Sequence, residues 1–218
     1  MSLNVVNLSG TVERINWQDV GQQANGRFNK YPRLSACITW PDVHMVVQGT
    51  QVTIGGQKAW IELSVPKNNG AQKAQGLVSH HQRGAQSFLL VNGTFSSWTG
   101  NQGVKFEVKA SMGDFEIGHK ALAGLNIAMI KGKITSHQGP WLMIEERYRN
   151  PLEQDPNKAW KSRYIPVFCS QQFANLVDRE VLVIGHVSVH TPTLQPDRSF
   201  RMTPYLHVYA TEVHACLA

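Results

Sequence analysis

The sequence predicts an all-β protein with short helices, built as two tandem copies of a five-stranded unit. Apolar and polar residues alternate over many short segments, which is the period of a half-buried β-strand. Glycine- and asparagine-rich turns separate these segments, and several landmark motifs occur twice in the same order. The 218 residues, of which 42% are hydrophobic, are enough for two small domains with separate cores.

Four pairs of motifs indicate the duplication. Residues 3–12 (LNVVNLSGTV) and 125–134 (LNIAMIKGKI) share the pattern Leu-Asn-[Val/Ile]-x-x-[Leu/Ile]-x-Gly-x-[Val/Ile]. The other pairs follow in the same order: 58–60 with 158–160 (both KAW), 90–95 with 182–187, and 106–110 with 206–210. Because insertions gather in loops, the unequal spacing of these landmarks places the differences between the copies in their connections. We expect a first domain at 1–118, a linker at 119–124 and a second domain at 125–218.

Each copy contains five predicted strands and one predicted helix. The strands of the first copy are expected at 3–15, 33–40, 59–65, 87–98 and 104–112, and those of the second at 126–138, 140–148, 160–169, 180–190 and 201–213. A glycine in the middle of each opening strand indicates a bulge or a tight bend. The helices are expected near 70–82 and 170–178, the second with Ser170 as its N-cap.

Five strands with a helix between the third and the fourth are the plan of the OB-fold, a five-stranded Greek-key barrel. The stretch 88–108 (FLLVNGTFSSWTGNQGVKFEV) illustrates the last hairpin of such a unit, since two alternating arms flank a glycine-rich turn. Closing the sheet into a barrel removes its exposed edges, which suits strands this apolar. The sequence therefore predicts two tandem OB-fold barrels.

Charge and composition favour a nucleic-acid partner. The chain carries a formal net charge of +6 and has a pI near 9.3, which favours acidic partners. Basic residues are interleaved with aromatic ones in 27–33 (RFNKYPR) and 147–149 (RYR), whereas a solvated face usually mixes Lys with Glu. The opening residues predict no signal peptide, no stretch reaches ~20 apolar residues, and the three cysteines are scattered. We expect a cytoplasmic protein without a membrane segment.

No motif for catalysis, a metal or a cofactor stands out. His80 and His81 are the closest histidine pair, but neighbouring side chains diverge and rarely chelate one ion. Glu145 and Glu146 are interpreted as a surface pair. The sequence contains no HExxH, paired CxxC, EF-hand, GxGxxG or Walker A pattern, and no nucleophile with a plausible base. We expect neither enzyme activity nor a cofactor or metal ion.

Several segments together carry a resemblance to a known family. They are 3–12, 59–65 and above all 89–110 in the first copy, and 126–134, 163–176, 181–189 and 205–213 in the second. On these segments the chain resembles the bacterial single-stranded DNA-binding proteins, whose fourth strand runs into a loop beside an exposed tryptophan. It departs from them in its two predicted domains and in a last loop without tryptophan, and because the sequence reads EVHACLA after the last strand we expect no acidic tail that would recruit repair proteins. The resemblance implies an OB-fold and single-strand binding.

The resemblance also implies which residues contact the strand. Such proteins combine aromatic platforms for the bases with basic groups for the phosphates. The implied stacking residues are Trp40, Trp60, Trp98, Tyr148, Trp160 and Phe168, with Tyr148 taken as the counterpart of Trp40. The implied phosphate contacts are Arg33, Lys105, Arg147, Arg149, Lys161, Arg163 and Arg201. A tryptophan lies in a core more often than in a binding site, so a core position is the alternative for each, while Trp17 and Trp141 stay undecided.

The leading hypothesis is a protein that coats single-stranded DNA in replication, recombination or repair. The alternatives are an adaptor OB-fold protein of a larger assembly that binds nucleic acid weakly, and an RNA-binding OB-fold protein, because stacking and phosphate contacts serve both nucleic acids. Family members with one barrel per chain are typically tetramers, so a chain with two barrels is expected to form a homodimer. Val5, Leu8, Ile127 and Ile130 are the apolar residues expected at its contact.

Overall fold

The computed structural model describes residues 3–18, 23–24, 27–28, 33–47, 49–54, 57–64, 70–100, 103–118, 125–150, 153–170, 173–190 and 205–216. Within these ranges the strands are β1 (Leu3–Gln18), β2 (Gln23–Ala24), β3 (Arg27–Phe28), β4 (Arg33–Trp40), β5 (Val43–Val47), β6 (Thr50–Ile54), β7 (Gln57–Ser64), β8 (Phe88–Gly100), β9 (Gly103–Gly118), β10 (Asn126–Gln138), β11 (Trp141–Arg149), β12 (Trp160–Phe168), β13 (Glu180–His190) and β14 (Tyr205–Ala215). One α-helix, α1 (Gly70–Gln82), precedes β8, and a short 3-10 helix covers Ala174–Leu176. No helix in the described part of the chain is long and apolar enough to cross a bilayer.

The strands close into two rings with the same order. The first ring is β1–β4–β7–β9–β8, closed by pairing of β1 with β8, and the second is β10–β11–β12–β14–β13, closed by pairing of β10 with β13. In each ring the third and fifth strands run parallel, at Ile61↔Val108 in the first and Val167↔Val208 in the second. This order is that of a five-stranded Greek-key barrel, so the prediction of two tandem OB-folds is confirmed.

The repeated glycines occupy matching positions in the two rings. Val6 pairs with Gly93, and Ala128 pairs with Gly185. A Cβ atom built on Gly185 would come within 3.0 Å of the backbone of Tyr209, closer than side chains tolerate. The other three glycines face neighbouring backbone carbonyls in the same way: Gly10 at Thr39, Gly93 at Lys109 and Gly132 at Glu145. Close approach of two strands therefore explains why each copy keeps these glycines.

The strand register shows that one pair of repeated motifs, the two KAW segments, does not occupy equivalent positions in the two rings. The second strands match at Ile38 and Ile144, which pair with Val12 and Ile134 beside a bulge that occurs in both rings. The third strands match where they pair with the fifth, so Trp60 corresponds to Pro166 and not to Trp160. Trp160 instead pairs with Arg149 beyond the barrel wall, as Ile54 pairs with Val43 in the first copy. The shared KAW motif is therefore not structurally equivalent.

The connections differ more from expectation than the strands do. Helix α1 covers the predicted range 70–82, but the predicted helix at 170–178 is reduced to the 3-10 turn at Ala174–Leu176. The antiparallel hairpin β5–β6 was not predicted, nor was the short β2–β3 pair. The linker expected at 119–124 lies outside the described residues.

Contacts divide the chain into two compact units. The N-terminal unit comprises Val6–Thr94 and Glu107–Asn126, and the C-terminal unit comprises Met1–Val5, Phe95–Phe106 and Ile127–Ala218. This grouping differs from a single cut at 119–124, because two segments from the first half of the chain belong to the C-terminal unit.

Candidate nucleic-acid interface

The hairpin β11–β12 in the C-terminal unit carries exposed aromatic side chains on its outer face. Alternate residues of β11 are buried at Leu142, Ile144 and Glu146, so the residues between them face outward. Cross-strand pairing then places Trp160 opposite Arg149 and Tyr164 opposite Glu145 on that outer face. Trp160 is 55% exposed and Tyr164 is 47% exposed. Tyrosine and tryptophan are enriched at interfaces, so two such rings exposed on one face make it a candidate binding surface.

Three aromatic residues follow one another at intervals of four residues along β12. They are Trp160, Tyr164 and Phe168, and the strand period puts them on one face at spacings of about 13 Å. At the far end, Phe168 meets an aromatic cluster. Its ring centroid lies 5.2 Å from that of Trp141 and 5.3 Å from that of Tyr209. We call Trp160, Tyr164 and Phe168 the β12 strip.

Tyr164 was not predicted from the sequence as a site residue, and Trp141 was left undecided between a core and a site position. Period-2 alternation counted from Trp160 would have placed Tyr164 on the same face, because the two residues are four apart. The position of Trp141 depends on β14, since His207 lies 5.0 Å from its ring and belongs to a strand far along the chain. Local alternation therefore predicts the shared face of Tyr164 and Trp160, but it does not predict the contact of Trp141 with His207.

Basic side chains flank the β12 strip. The guanidinium carbon of Arg147 lies 5.9 Å from the ring centroid of Trp160, a cation–π distance. Arg147 and Arg149 are exposed on the same face of the hairpin as Trp160, and Lys161, which pairs with Tyr148, is exposed on the other face. The strip thus has the two components that single-strand binding needs, stacking rings and cations.

Arg163 differs from these three residues. Its side chain is only 19% exposed, and its guanidinium carbon lies 3.8 Å from the ring centroid of Tyr148. Its Nη1 lies 3.8 Å from a carboxylate oxygen of Glu146 and donates a long hydrogen bond of 3.4 Å to the carbonyl of Phe95. Arg163, predicted to contact phosphate, is therefore already engaged inside the C-terminal unit.

Glu146 is buried, and its interpretation as half of a surface pair is wrong. It is 2% exposed and accepts a hydrogen bond of 2.6 Å from the side-chain amide of Asn4. Its neighbour Glu145 does face outward and accepts a 2.5 Å hydrogen bond from the Ser162 hydroxyl. The two carboxylates lie on opposite faces of β11, as neighbours along a strand must.

In the N-terminal unit, Trp60 is an exposed ring, although its position in the barrel differs from that of Trp160. It is 48% exposed and pairs across the sheet with Cys37. The Cys37 thiol donates to the Glu13 carboxylate at 3.7 Å, and Lys58 pairs with the same carboxylate at 3.4 Å. Burial raises the pKa of the Cys37 thiol, and the nearby charge of Glu13 raises it further. This face offers one ring and a neutral thiol, so it is less basic than the hairpin β11–β12.

Trp40 lies in the core. It is 3% exposed, which excludes its indole from stacking on a base without rearrangement of the barrel. Its counterpart in the second ring is Glu146 and not Tyr148, because Trp40 pairs with Gln57 where Glu146 pairs with Arg163. Trp40 is therefore not part of the candidate interface.

Four predicted site residues cannot be placed in the candidate interface. The side chains of Arg33, Trp98 and Lys105 lie outside the described part of the structure, as does Arg201 altogether. Among the described residues, no group of three or more His, Cys, Asp or Glu could hold a metal ion.

Comparison with solved structures gives the same architecture. A crystal structure of a deletion mutant of the single-stranded DNA binding protein from Thermus aquaticus matches with a TM-score of 0.64 and 13% identity, covering 100% of this chain and 96% of that chain. The wild-type protein from the same organism matches with a TM-score of 0.58 and 12% identity, covering 100% and 94%. No family model matches the sequence, and no curated protein matches it significantly. At such low identity the likeness shows the tandem OB-fold alone.

Proposed function

We propose that the chain binds single-stranded DNA and coats it during replication, recombination or repair. The observation that carries this proposal is the β12 strip beside Arg147 and Arg149, on one face of the hairpin β11–β12. The outer face of the second and third strands is where OB-folds bind oligonucleotides. The likeness to single-stranded DNA binding proteins from Thermus aquaticus supports the same assignment.

Binding would combine stacking with phosphate neutralisation. Each base stacked on a ring contributes roughly 1–3 kcal/mol, independently of sequence. Trp160 and Tyr164 supply such rings on the hairpin β11–β12, and Trp60 supplies another in the N-terminal unit. In duplex DNA the base faces are stacked on each other, so these rings select unpaired strands.

Fluorescence titration tests the proposal. Oligo(dT), oligo(U) and a duplex of equal length are added at low salt, and the tryptophan emission is followed. We expect quenching by oligo(dT) and little change with the duplex. Stronger quenching by oligo(U) would make RNA the ligand, and no quenching by either single strand would favour the adaptor OB-fold protein.

Salt dependence tests the phosphate contacts individually. Each neutralised phosphate of a single strand contributes about −0.7 to the slope of log affinity against log salt. Arg149→Ala should therefore reduce the magnitude of the slope by about 0.7, because one contact is lost. Arg83→Ala, at an exposed position after α1, is the matched control with the same change of charge. Equal slopes for the two variants would remove Arg149 from the interface.

A further inference from the structure

A carboxylate lies within the outer face that carries the β12 strip. Glu145 pairs across the hairpin β11–β12 with Tyr164, so the two side chains project from the same face with their Cβ atoms about 5 Å apart. Arg147, two residues further along β11 on that face, lies over the ring of Trp160. The face therefore changes from positive charge beside Trp160 to negative charge beside Tyr164.

The carboxylate of Glu145 is oriented by a hydroxyl group and not by a salt bridge with the lysine opposite it. The Ser162 hydroxyl donates a hydrogen bond of 2.5 Å to Oε1 of Glu145. Lys133 pairs with Glu145 across β10 and β11, but its ammonium lies 2.7 Å from the carboxylate of Asp178. Because a carboxylate accepts about four hydrogen bonds, Glu145 keeps acceptor sites for a donor that arrives from outside.

The position of this charge suits contact with a base better than contact with the backbone of a strand. A carboxylate repels phosphates that come within a few ångströms of it. A base stacked on Tyr164 would instead bring its edge next to the residue opposite that ring, which is Glu145. Carboxylates accept hydrogen bonds from the exocyclic amino group of cytosine, and adenine and guanine also carry such groups. Thymine and uracil present carbonyl oxygens there, which a carboxylate repels.

We propose that Glu145 accepts a hydrogen bond from the amino group of a base stacked on Tyr164, so that this part of the β12 strip prefers cytosine, adenine and guanine to thymine and uracil. This inference rests on the proposed function and extends it, because stacking alone tolerates every base. Ser162 is a positioning residue that fixes the direction of the carboxylate. Oligo(dT) still binds through the rings and the arginines, but it lacks this hydrogen bond.

The experiment compares oligo(dC) with oligo(dT) of equal length, because the two pyrimidines offer rings of the same size for stacking. Affinities for the full chain are measured by anisotropy at a slightly alkaline pH, where cytosine is uncharged. We expect wild type to bind oligo(dC) about three- to tenfold more tightly than oligo(dT). Glu145→Gln should remove most of this preference, since an amide group can accept from cytosine and donate to thymine equally well.

Two further variants separate base recognition from general electrostatics. Glu212→Gln makes the same change of charge at an exposed position on β14, and it should leave the ratio of the two affinities unchanged. Tyr164→Ala should abolish the preference, because no ring then holds a base beside Glu145, and it replaces Glu145→Gln if that variant does not fold. Urea melts show whether each variant is folded under the conditions of the titration.

Wild type that binds oligo(dC) no more tightly than oligo(dT) would overturn the inference and leave the proposed function intact. The same holds for a preference that survives Glu145→Gln or Tyr164→Ala, or that Glu212→Gln reduces as much as Glu145→Gln does. Failure of wild type to bind either single strand would overturn the proposed function, and this inference with it.

Discussion

The indole of Trp160 stands 55% exposed beside the guanidinium of Arg147, where it gains little from the core and is available to a base. Trp160→Ala should therefore weaken binding of oligo(dT) by roughly 1–3 kcal/mol. Its free energy of unfolding should change by no more than about 0.5 kcal/mol, as for other surface substitutions. Anisotropy of a labelled oligonucleotide and a urea melt measure the two quantities separately. Unchanged affinity would exclude Trp160 from the interface.

Trp40 is a buried tryptophan, so its substitution should affect stability and not binding, the reverse of the effect expected for Trp160. It is 3% exposed, so Trp40→Ala leaves a cavity in the N-terminal unit. We expect the free energy of unfolding to fall by about 3–5 kcal/mol. Oligo(dT) binding by the protein that remains folded should be close to that of wild type. A urea melt that matches wild type would contradict the core position.

Burial of individual residues could be predicted from the sequence only in part. A tryptophan at the end of a strand is compatible with both a core and a binding surface. The sequence alone therefore does not distinguish Trp40 from Trp160, and the strand register is needed to show which face each occupies. Alternation alone would have paired Tyr164 with Trp160. The burial of Glu146 could not be predicted, because its partner Asn4 lies 142 residues away.

At the scale of elements, the strands were the most predictable part of the chain. The bounds of β4, β10 and β13 agree with expectation because period-2 alternation ends at turn residues in each case. The helix expected at 170–178 failed because tertiary hydrogen bonds compete with it. Ile134 of β10 accepts from the N–H of Asp178 and donates to the carbonyl of Arg179, and Asp178 has a positive φ of 69°.

The glycine of β13 allows a prediction for a whole element. A Cβ on Gly185 would collide with the backbone of Tyr209 on β14, and neither backbone can move without breaking the ladder. Gly185→Ala should lower the free energy of unfolding by about 1–3 kcal/mol, the range for forcing extra volume into a packed site. Gly76→Ala is the control, since a Cβ there meets no atom within 4 Å and alanine favours the helix. Equal urea midpoints for the two variants would show that the strands separate easily.

For the whole molecule, the division into units predicts how the chain can be cut. A fragment of residues 125–218 lacks Asn4 and Phe95, so Glu146 is buried without its amide partner. Removing the hydrogen-bond donor of a buried polar group costs about 1–3 kcal/mol, and we expect the fragment to melt well below the full chain. Glu146→Leu should raise the midpoint of the fragment, because it removes a buried charge that has lost its hydrogen bond from Asn4. A fragment as stable as the full chain would mean that residues 1–5 and 95–106 contribute little.

Assembly into a homodimer remains a prediction. Burial reduces the set of apolar residues that could form the contact. Leu8 and Ile130, expected at the contact, are fully buried, whereas Ile127 is 39% exposed and Leu125 is 37% exposed. Two-fold pairing through one such patch is the commonest way for chains to form a closed assembly. Light scattering at micromolar concentration should give about twice the 24.3 kDa of one chain, and Ile127→Lys should shift the mass toward the monomer because it places a charge in the contact. A mass of one chain, unchanged when oligonucleotide is added, would rule the dimer out.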